Sequence, residues 1–351
     1  MNDYKERTYL SAIEVAKYLG ITVRQVHNLL KSGMLKGFRS ASGQYRFDLR
    51  DVKEIEDYIR DSKFTLFADS KISIKTENII SINGTTQTVY VEDARDMKEI
   101  EDNSVHLMIT SPPYFDAKLY SKKPIKGDLG NIHDLDEWFN EIGKVWKEVF
   151  RVLQPGRKAF INIMNLPIRT KHGFKSLNIV GKTIDICENI GFTFKREIIW
   201  HKTNSVRAHF GSFPYPGGIL INYSHEFILE FEKPASKNYK KYGHLTGEQK
   251  EASKLEKDFW IEIKKADVWL MKPEGSGDNR DHPAPFPYEL PYRLIKAYSF
   301  VGEIVLDPFL GSGTTLLVAR DLKRNGIGYE INPELAKEAI RKIKNFQQKL
   351  L

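Results

Sequence analysis

The residues best suited to chemistry in this 351-residue chain are Thr110-Ser111-Pro112-Pro113-Tyr114, which directly follow the apolar run Val105-His106-Leu107-Met108-Ile109. The pattern predicts a strand that stops at a rigid polar corner. Two successive prolines fix φ and remove two backbone donors, so the strand cannot continue, and the carbonyls of Ser111 and Pro112 face whatever lies beyond its end. Tyr114 adds a flat π face beside them. Hydrogen-bond acceptors next to an aromatic platform suit a planar ring with an exocyclic amino group, and a nucleobase is such a ring. An ordinary turn has the same composition, and the tetrapeptide alone leaves both readings open.

A second stretch narrows the choice. Val301 to Thr315 reads as strand, glycine-rich turn and helix start, with Leu306-Asp307-Pro308-Phe309-Leu310 leading into Gly311-Ser312-Gly313-Thr314-Thr315. It lacks the Gly-Lys-Ser/Thr ending of a triphosphate-binding loop, and its two glycines are too few for a dinucleotide fingerprint. What remains is a turn that admits a ligand close to the backbone at a helix N-terminus, with the hydroxyls of Thr314 and Thr315 expected as caps. The next strand, Gly326 to Ile331, carries Glu330 at its end, where a carboxylate can accept both hydroxyls of a ribose. Asp93 stands just past another expected strand, Thr88 to Val91. An aspartate there could accept from a cofactor amine, or simply cap a turn.

With both stretches present, the sequence resembles the amino-methyltransferases of DNA, which use S-adenosyl-L-methionine (SAM) to methylate the exocyclic nitrogen of cytosine or adenine. The order is acceptor strand first and cofactor strand last, with Gly311 about 200 residues after Ser111, which resembles the β class of these enzymes. The resemblance covers roughly residues 86–351. It implies an α/β fold, the Rossmann-like SAM-dependent methyltransferase fold with permuted motif order. It also implies a catalytic site at Ser111, Pro112, Pro113 and Tyr114, acting on a base turned out of double-stranded DNA. SAM contacts are implied for Asp93 (adenine amine), His282, Asp307, Phe309, Gly311, Ser312, Gly313, Thr314 and Glu330 (ribose). His282 opens His-Pro-Ala-Pro-Phe-Pro at 282–287, similar to a family motif that precedes the cofactor strand.

Exocyclic amines of bases are poor nucleophiles because the lone pair is delocalised into the ring. Catalysis is therefore expected from holding the nitrogen in line with the methyl group, with Ser111 and the Pro112 carbonyl taking its hydrogens. Within the family, Ser before Pro-Pro, the following Lys118 and Tyr120, and the 282–287 motif point to N4 of cytosine, with N6 of adenine as the alternative. Enzymes that methylate the ring carbon of cytosine need a cysteine in a Pro-Cys setting, and the single cysteine, Cys187, sits instead in Ile184-Asp185-Ile186-Cys187-Glu188 on an expected helix face. A DNA-binding regulator built on an inactive methyltransferase scaffold is a reading from another class, and the intact motifs argue against it.

The elements that position these residues fall into two blocks. Residues 1–62 form a module of their own. Ser11 and Glu14 make a capping box for a helix bearing Ile13, Val15, Ala16 and Leu19, and Thr22 and Gln25 one for a helix bearing Val26, Leu29 and Leu30. A hairpin around Ser42-Gly43 and a third helix over 48–59 complete an order similar to the MerR and excisionase winged helix-turn-helix modules. Arg24, His27 and Lys31, with Arg39 and Arg46 near the wing, suit phosphate and groove contacts, which are favoured over a solvated basic surface or a dimer contact. A linker is expected over 63–85, and a catalytic domain over 86–351.

In that domain a short helix near 97–103, a long helix from Leu135 to Leu153, a strand from Lys158 to Ile163, a helix from Leu177 to Ile190 and a strand from Phe194 to Trp200 alternate as a parallel sheet demands. Residues 201–272 break the alternation and are expected as the target-recognition insertion, with Arg207 and Lys118 among the DNA contacts. Net charge of +8 and an isoelectric point near 9.1 favour a polyanionic partner. No apolar run approaches the roughly 18 residues of a membrane span, and one cysteine allows neither an internal disulfide nor a multi-cysteine zinc site, so no metal is expected. The expected setting is the cytoplasm of a prokaryote, with a cognate restriction endonuclease as partner in a restriction-modification system and the chain as monomer or homodimer.

Overall fold

In the computed structural model, which describes residues 9–19, 23–31, 35–40, 44–54, 76–115, 125–171, 173–203, 221, 223–273 and 286–345, the chain divides into two compact units at residues 73 and 74. The first is built on β1 (Tyr9–Ser11), α1 (Ala12–Leu19), α2 (Val23–Lys31), β2 (Phe38–Arg39), β3 (Tyr45–Asp48) and α3 (Leu49–Glu54). The capping box forms: the backbone N–H of Ser11 donates to Glu14 Oε2 at 2.7 Å, and the backbone N–H of Glu14 to Ser11 Oγ at 3.3 Å. Val15, Ala16, Leu19, Val26, Leu35, Phe47 and Val52 make its core. Ile13 is 70% exposed, contrary to expectation. At 100° per residue it lies off the stripe shared by Val15, Ala16 and Leu19. The strand β1, which pairs with β3, was not foreseen. Thr22, Ser42, Gly43 and the end of the expected third helix lie outside the described residues.

The second unit contains, in chain order, β4 (Glu77–Ile82), β5 (Thr85–Tyr90), β6 (Val105–Thr110), α4 (Leu135–Val152), β7 (Leu153–Ile163), β8 (Leu166–Thr170), β9 (Gly173–Leu177), α5 (Ile179–Ile190), β10 (Thr193–Lys202), β11 (His225–Glu232), α6 (Gly247–Ala252), α7 (Lys257–Lys265), β12 (Val268–Met271), α8 (Glu289–Tyr298), β13 (Ile304–Asp307), α9 (Thr314–Asp321), β14 (Asn325–Tyr329) and α10 (Pro333–Asn345). Among the described residues, nine strands form one sheet in the order β12-β10-β11-β7-β6-β13-β14-β5-β4. Its centre, β7-β6-β13-β14-β5, is parallel. β11 runs antiparallel to both β7 and β10.

Helices cover both faces, which explains why β6 is apolar almost throughout. Met108 packs with Trp138, Ile142 and Trp146 of α4, while Leu107 and Ile109 pack on the other side with Leu290, Leu294 and Ile295 of α8. At the amino ends of the central strands, Arg157 and Glu303 form a fully buried ion pair, and His244 Nε2 lies 2.9 Å from Glu303 Oε1. No described helix is long and apolar enough to cross a membrane.

Three expectations are corrected here, and one hairpin was not foreseen. The stretch read as a linker ends earlier: Glu77–Ile82 is an edge strand, and Asn83-Gly84, both at positive φ, is the hairpin turn that joins it to β5. Its exposed Ile79 and polar neighbours hid it. Residues 97–103 form turns rather than a helix. An antiparallel hairpin, β8 and β9, stands before α5. Most of the expected insertion is framework: β11 lies inside the sheet, β12 pairs with β10, and Lys296 of α8 holds Glu256 at 2.7 Å. Residues 204–220 and 222 lie outside the described residues.

Candidate active site

β6 and β13 are parallel neighbours in register, Leu107 opposite Val305 and Met108 opposite Leu306. From β6 the chain moves to β7 on one side, and from β13 to β14 on the other. Divergent connections of this kind open a crevice at the carboxyl ends of the two strands. Both sequence stretches end there. Ser111, Pro112, Pro113 and Tyr114 line a cleft that also takes Phe309, Gly311, Ser312, Thr314, Glu330 and Asp93 in its walls and encloses about 930 Å³ of empty space, part of it open to solvent.

One buried carboxylate joins the two walls. Thr110 Oγ1 donates to Asp307 Oδ1 at 2.7 Å, Thr315 Oγ1 to Oδ2 at 2.6 Å and the backbone N–H of Phe309 to Oδ1 at 3.1 Å. Both oxygens are engaged and Asp307 is only 1% exposed, so it builds the cleft rather than lining it. Gly313 also stands behind the wall: φ is 82°, and a Cβ there would meet Ala339 Cβ at 2.9 Å, so the turn needs glycine for its conformation and for the approach of α10. The expected threonine caps are corrected. Gly313 is the N-cap of α9 and no side chain caps it, because Thr315 is turned to Asp307, while Thr314 Oγ1 accepts from Lys342 at 2.9 Å.

Glu330 follows β14. Its Oε2 accepts from the backbone N–H of Gly311 at 2.9 Å and its Oε1 from that of Asn332 at 2.8 Å. Burial pushes it up to about 7, against the pull of those two donors. Asp93 lines the cleft but is engaged by Arg95, whose Nε lies 3.0 Å from Oδ1 and whose Nη2 lies 2.5 Å from Oδ2. Asp128 was passed over in sequence. It also lines the cleft, with its carboxyl raised by burial and Oδ1 accepting from Gly130 at 2.8 Å. The available signal was an aspartate inside Gly127-Asp128-Leu129-Gly130, between the acceptor corner and a helix.

On the acceptor side, Tyr114 is 8% exposed and its hydroxyl donates to Glu226 Oε2 at 2.8 Å. Asn162 Nδ2 donates to the same oxygen at 2.6 Å and makes a long contact of 3.5 Å with Ser111 Oγ. Lys202 pairs with Glu226 Oε1. Asn162, Lys202 and Glu226 escaped sequence reasoning because each sits within an ordinary strand. Phe286, in the quoted 282–287 motif, reaches the cleft, whereas His282 lies outside the described residues, as do Lys118 and Arg207.

In the first unit His27 and Tyr45 stand edge to face at 6.1 Å, and the Arg39 guanidinium lies over the Tyr45 ring at 5.1 Å. Arg46 is half-buried on β3, opposite Phe38. Arg24 and Lys31 belong to α2, but their side chains lie outside the described set.

The family of DNA methylases matches residues 105–341. The chain belongs to that family. Residues 9–57 match a helix-turn-helix domain. The chain is 35% identical to the type II methyltransferase M.MjaI of Methanocaldococcus jannaschii, over 73% of this chain and 91% of the relative. It is 32% identical to the type II methyltransferase M.MthZI of Methanothermobacter thermautotrophicus, over 71% and 74%. Among solved structures it is similar to TTHA0409 of Thermus thermophilus, named as a DNA modification methylase and crystallised with SAM (32% identity, TM-score 0.58, 73% of this chain and 92% of that one). It shares its fold with the PvuII DNA methyltransferase (19% identity, TM-score 0.54, 76% and 88%).

This DNA methyltransferase depends on SAM, and its cleft fits that cofactor. In a chain of net charge +8, the described cleft walls carry Glu92, Asp93, Asp128 and Glu330 and no Lys or Arg. Such walls repel a phosphate-bearing ligand and suit a cationic one.

The Asp307 tie makes stability pH-dependent. Burial raises its pKa from 3.8 to about 6, so the native state holds the proton more tightly than the unfolded chain. This contribution is fully present below about 3.8 and is lost as pH rises through about 6. Asp307→Asn lacks that slope, because its amide does not titrate and can accept from the Thr110 hydroxyl through Oδ1 while donating to the Thr315 hydroxyl through Nδ2. Urea unfolding of both proteins across this window measures the difference, and an unchanged slope in the variant would rule out Asp307 as the titrating group.

Proposed function

We propose that this enzyme methylates the exocyclic N4 of a cytosine turned out of double-stranded DNA. The observation that carries the reading is that Ser111 to Tyr114 and the Gly311–Glu330 pair line one cleft, acceptor chemistry on one wall and cofactor chemistry on the other. Bound SAM supplies an electrophilic methyl group and departs as a neutral thioether, so no strong acid is asked of the protein. Glu330 would hold the ribose hydroxyls, Asp93 and Asp128 offer acceptors for the adenine amine, and the glycine turn at Gly311 admits the ligand close to the backbone. Ser111 Oγ and the Pro112 carbonyl accept hydrogen bonds from the two N–H groups of the attacking amine as charge develops on it, the amine releases one proton to solvent once the methyl group has transferred, and the Tyr114 ring supports the base. The choice of cytosine rests on Ser111, which stands where adenine enzymes of this family usually carry Asp or Asn.

The helix-turn-helix unit adds DNA affinity through Arg24, His27, Lys31, Arg39 and Arg46, with the His27–Tyr45–Arg39 group as a preorganised basic and aromatic face. Lys118 and Arg207 contribute DNA contacts in this reading, and residues 204–220 are the part of the expected insertion left for recognition. A restriction endonuclease of matching specificity is the partner this reading implies, and the chain acts as monomer or homodimer.

Three outcomes test these statements. Nucleosides from DNA methylated by the enzyme contain N4-methylcytosine by mass spectrometry, and N6-methyladenine alone would reverse the choice of base. Removing residues 1–62 weakens DNA binding about tenfold or more and lowers its salt dependence, with SAM affinity unchanged. If methylation rate, DNA affinity and site preference all survive the deletion, the DNA-binding role is wrong. Because hydroxyl donors favour ionised Glu330, whose pKa is near 7 in the free enzyme, SAM affinity measured by calorimetry falls as pH drops below about 7, approaching tenfold per pH unit. Glu330→Gln binds weakly at every pH, and a wild-type pH profile in that variant would exclude Glu330 as the ribose acceptor.

A further inference from the structure

Under the acceptor corner lies a group of side chains that no motif connects. Asn162 comes from β7, Lys202 from β10 and Glu226 from β11, three strands that are neighbours in the sheet. Glu226 is 6% exposed and gathers three donors: the Tyr114 hydroxyl, Asn162 Nδ2 and Lys202 Nζ. Asn162 is 2% exposed, and its Oδ1 has no hydrogen-bond partner among the described residues. Burying a carboxylate and an amide at a strand end costs desolvation that an apolar cluster would avoid, and an unpartnered amide oxygen adds to that cost. Stability alone gives no reason for such a group beside Ser111 and Tyr114.

We propose that Glu226 is the positioning residue of the acceptor site, acting through Tyr114 on one side and Asn162 on the other. This rests on the reading of Ser111 to Tyr114 as the place where the base is held. The Tyr114 O–H prefers the plane of its ring, so donating it to a fixed carboxylate oxygen restricts the orientation of the ring on which the base lies. Its pull on Asn162 Nδ2 orients the second N–H of that amide toward Ser111 Oγ, now 3.5 Å away. That hydrogen bond shortens when a substrate loads the site. One lone pair of Ser111 is then occupied by Asn162, and the other is left for a hydrogen of the amine. Lys202 pairs with Oε1 of Glu226, which leaves Oε2 to accept from both Tyr114 and Asn162.

The test uses the full chain with SAM and DNA. Glu226→Gln keeps the shape but turns one acceptor into a donor, which must face either Lys202 or the Tyr114–Asn162 pair. The single-turnover methylation rate is expected to fall about 10- to 100-fold, with SAM affinity within error of wild type and a melting temperature only a few degrees lower. Tyr114→Phe, which removes only the hydroxyl, is expected to lose about tenfold in rate and little in KM for DNA. Adding Asn162→Ala to Glu226→Gln is expected to lose little more, because both act in one unit. A variant Glu226→Gln that melts lower yet methylates at the wild-type rate would reduce the group to scaffold and overturn the proposal. Should Glu226→Gln fail to fold, a wild-type rate for Tyr114→Phe overturns it. If Ser111→Ala also methylates normally, the acceptor site itself has been misplaced, a failure distinct from that of Glu226 alone.

Discussion

The site depends on a carboxylate that does not enter it. Asp307 ends β13 and is held by hydroxyls from Thr110 at the end of β6 and Thr315 in the first turn of α9. Through these bonds an acceptor corner and a glycine turn separated by about 200 residues are fixed within one crevice. Parallel pairing supplies the neighbourhood, but backbone hydrogen bonds stop where the strands stop. Beyond that point the relative placement of the two loops rests on side chains, and a buried acceptor with three donors is stiffer than an apolar contact because each bond has a direction. A second carboxylate, Glu330, repeats the device by accepting from Gly311 and tying the glycine turn to the end of β14.

The distribution of charge divides the labour. The chain as a whole is basic, as suits association with a polyanion, yet the described cleft walls are acidic. A cationic cofactor is favoured inside and nucleic-acid phosphate is favoured elsewhere, so the two ligands do not compete for one field. Burial then sets the individual carboxyls apart. Asp307 and Glu330 lie near neutrality, and Asp93 is held by the Arg95 guanidinium. Residues of one chemical type thus serve as tie, as cleft wall and as paired charge.

The framework behind the acceptor corner was the least legible part. The strand Glu226 to Phe231 is legible and forms β11, but Lys233 to Lys265 reads as a charged excursion because the helices α6 and α7 are short and polar outside. Their place is decided by what they pack against: β11 is inserted between β7 and β10, and the segment after it grips α8 and Glu303. β4 was missed for the related reason that an edge strand with one solvated face has little pattern of its own. Helix α4 and the central strands were legible because both faces or a broad stripe are buried, which enforces a strong local period.

Sequence alone determined where strands must stop, where the backbone must turn, and which side chains could hold an amine or a ribose. Those are local properties: prolines at 112 and 113 end a strand in any context, and Gly311 and Gly313 permit positive φ wherever they lie. Tertiary structure decided which of these features face one another and what each carboxylate does. Asp307 and Glu330 are alike as strand-end acids, and only the surrounding donors make one a buried tie and the other a wall of the cleft. Glu226 shows the same limit more sharply, since it is one acid among several in β11. Its meaning comes from Tyr114, Asn162 and Lys202, three residues brought to it by three different parts of the sheet, and the pairing of distant strands is not written in any local period.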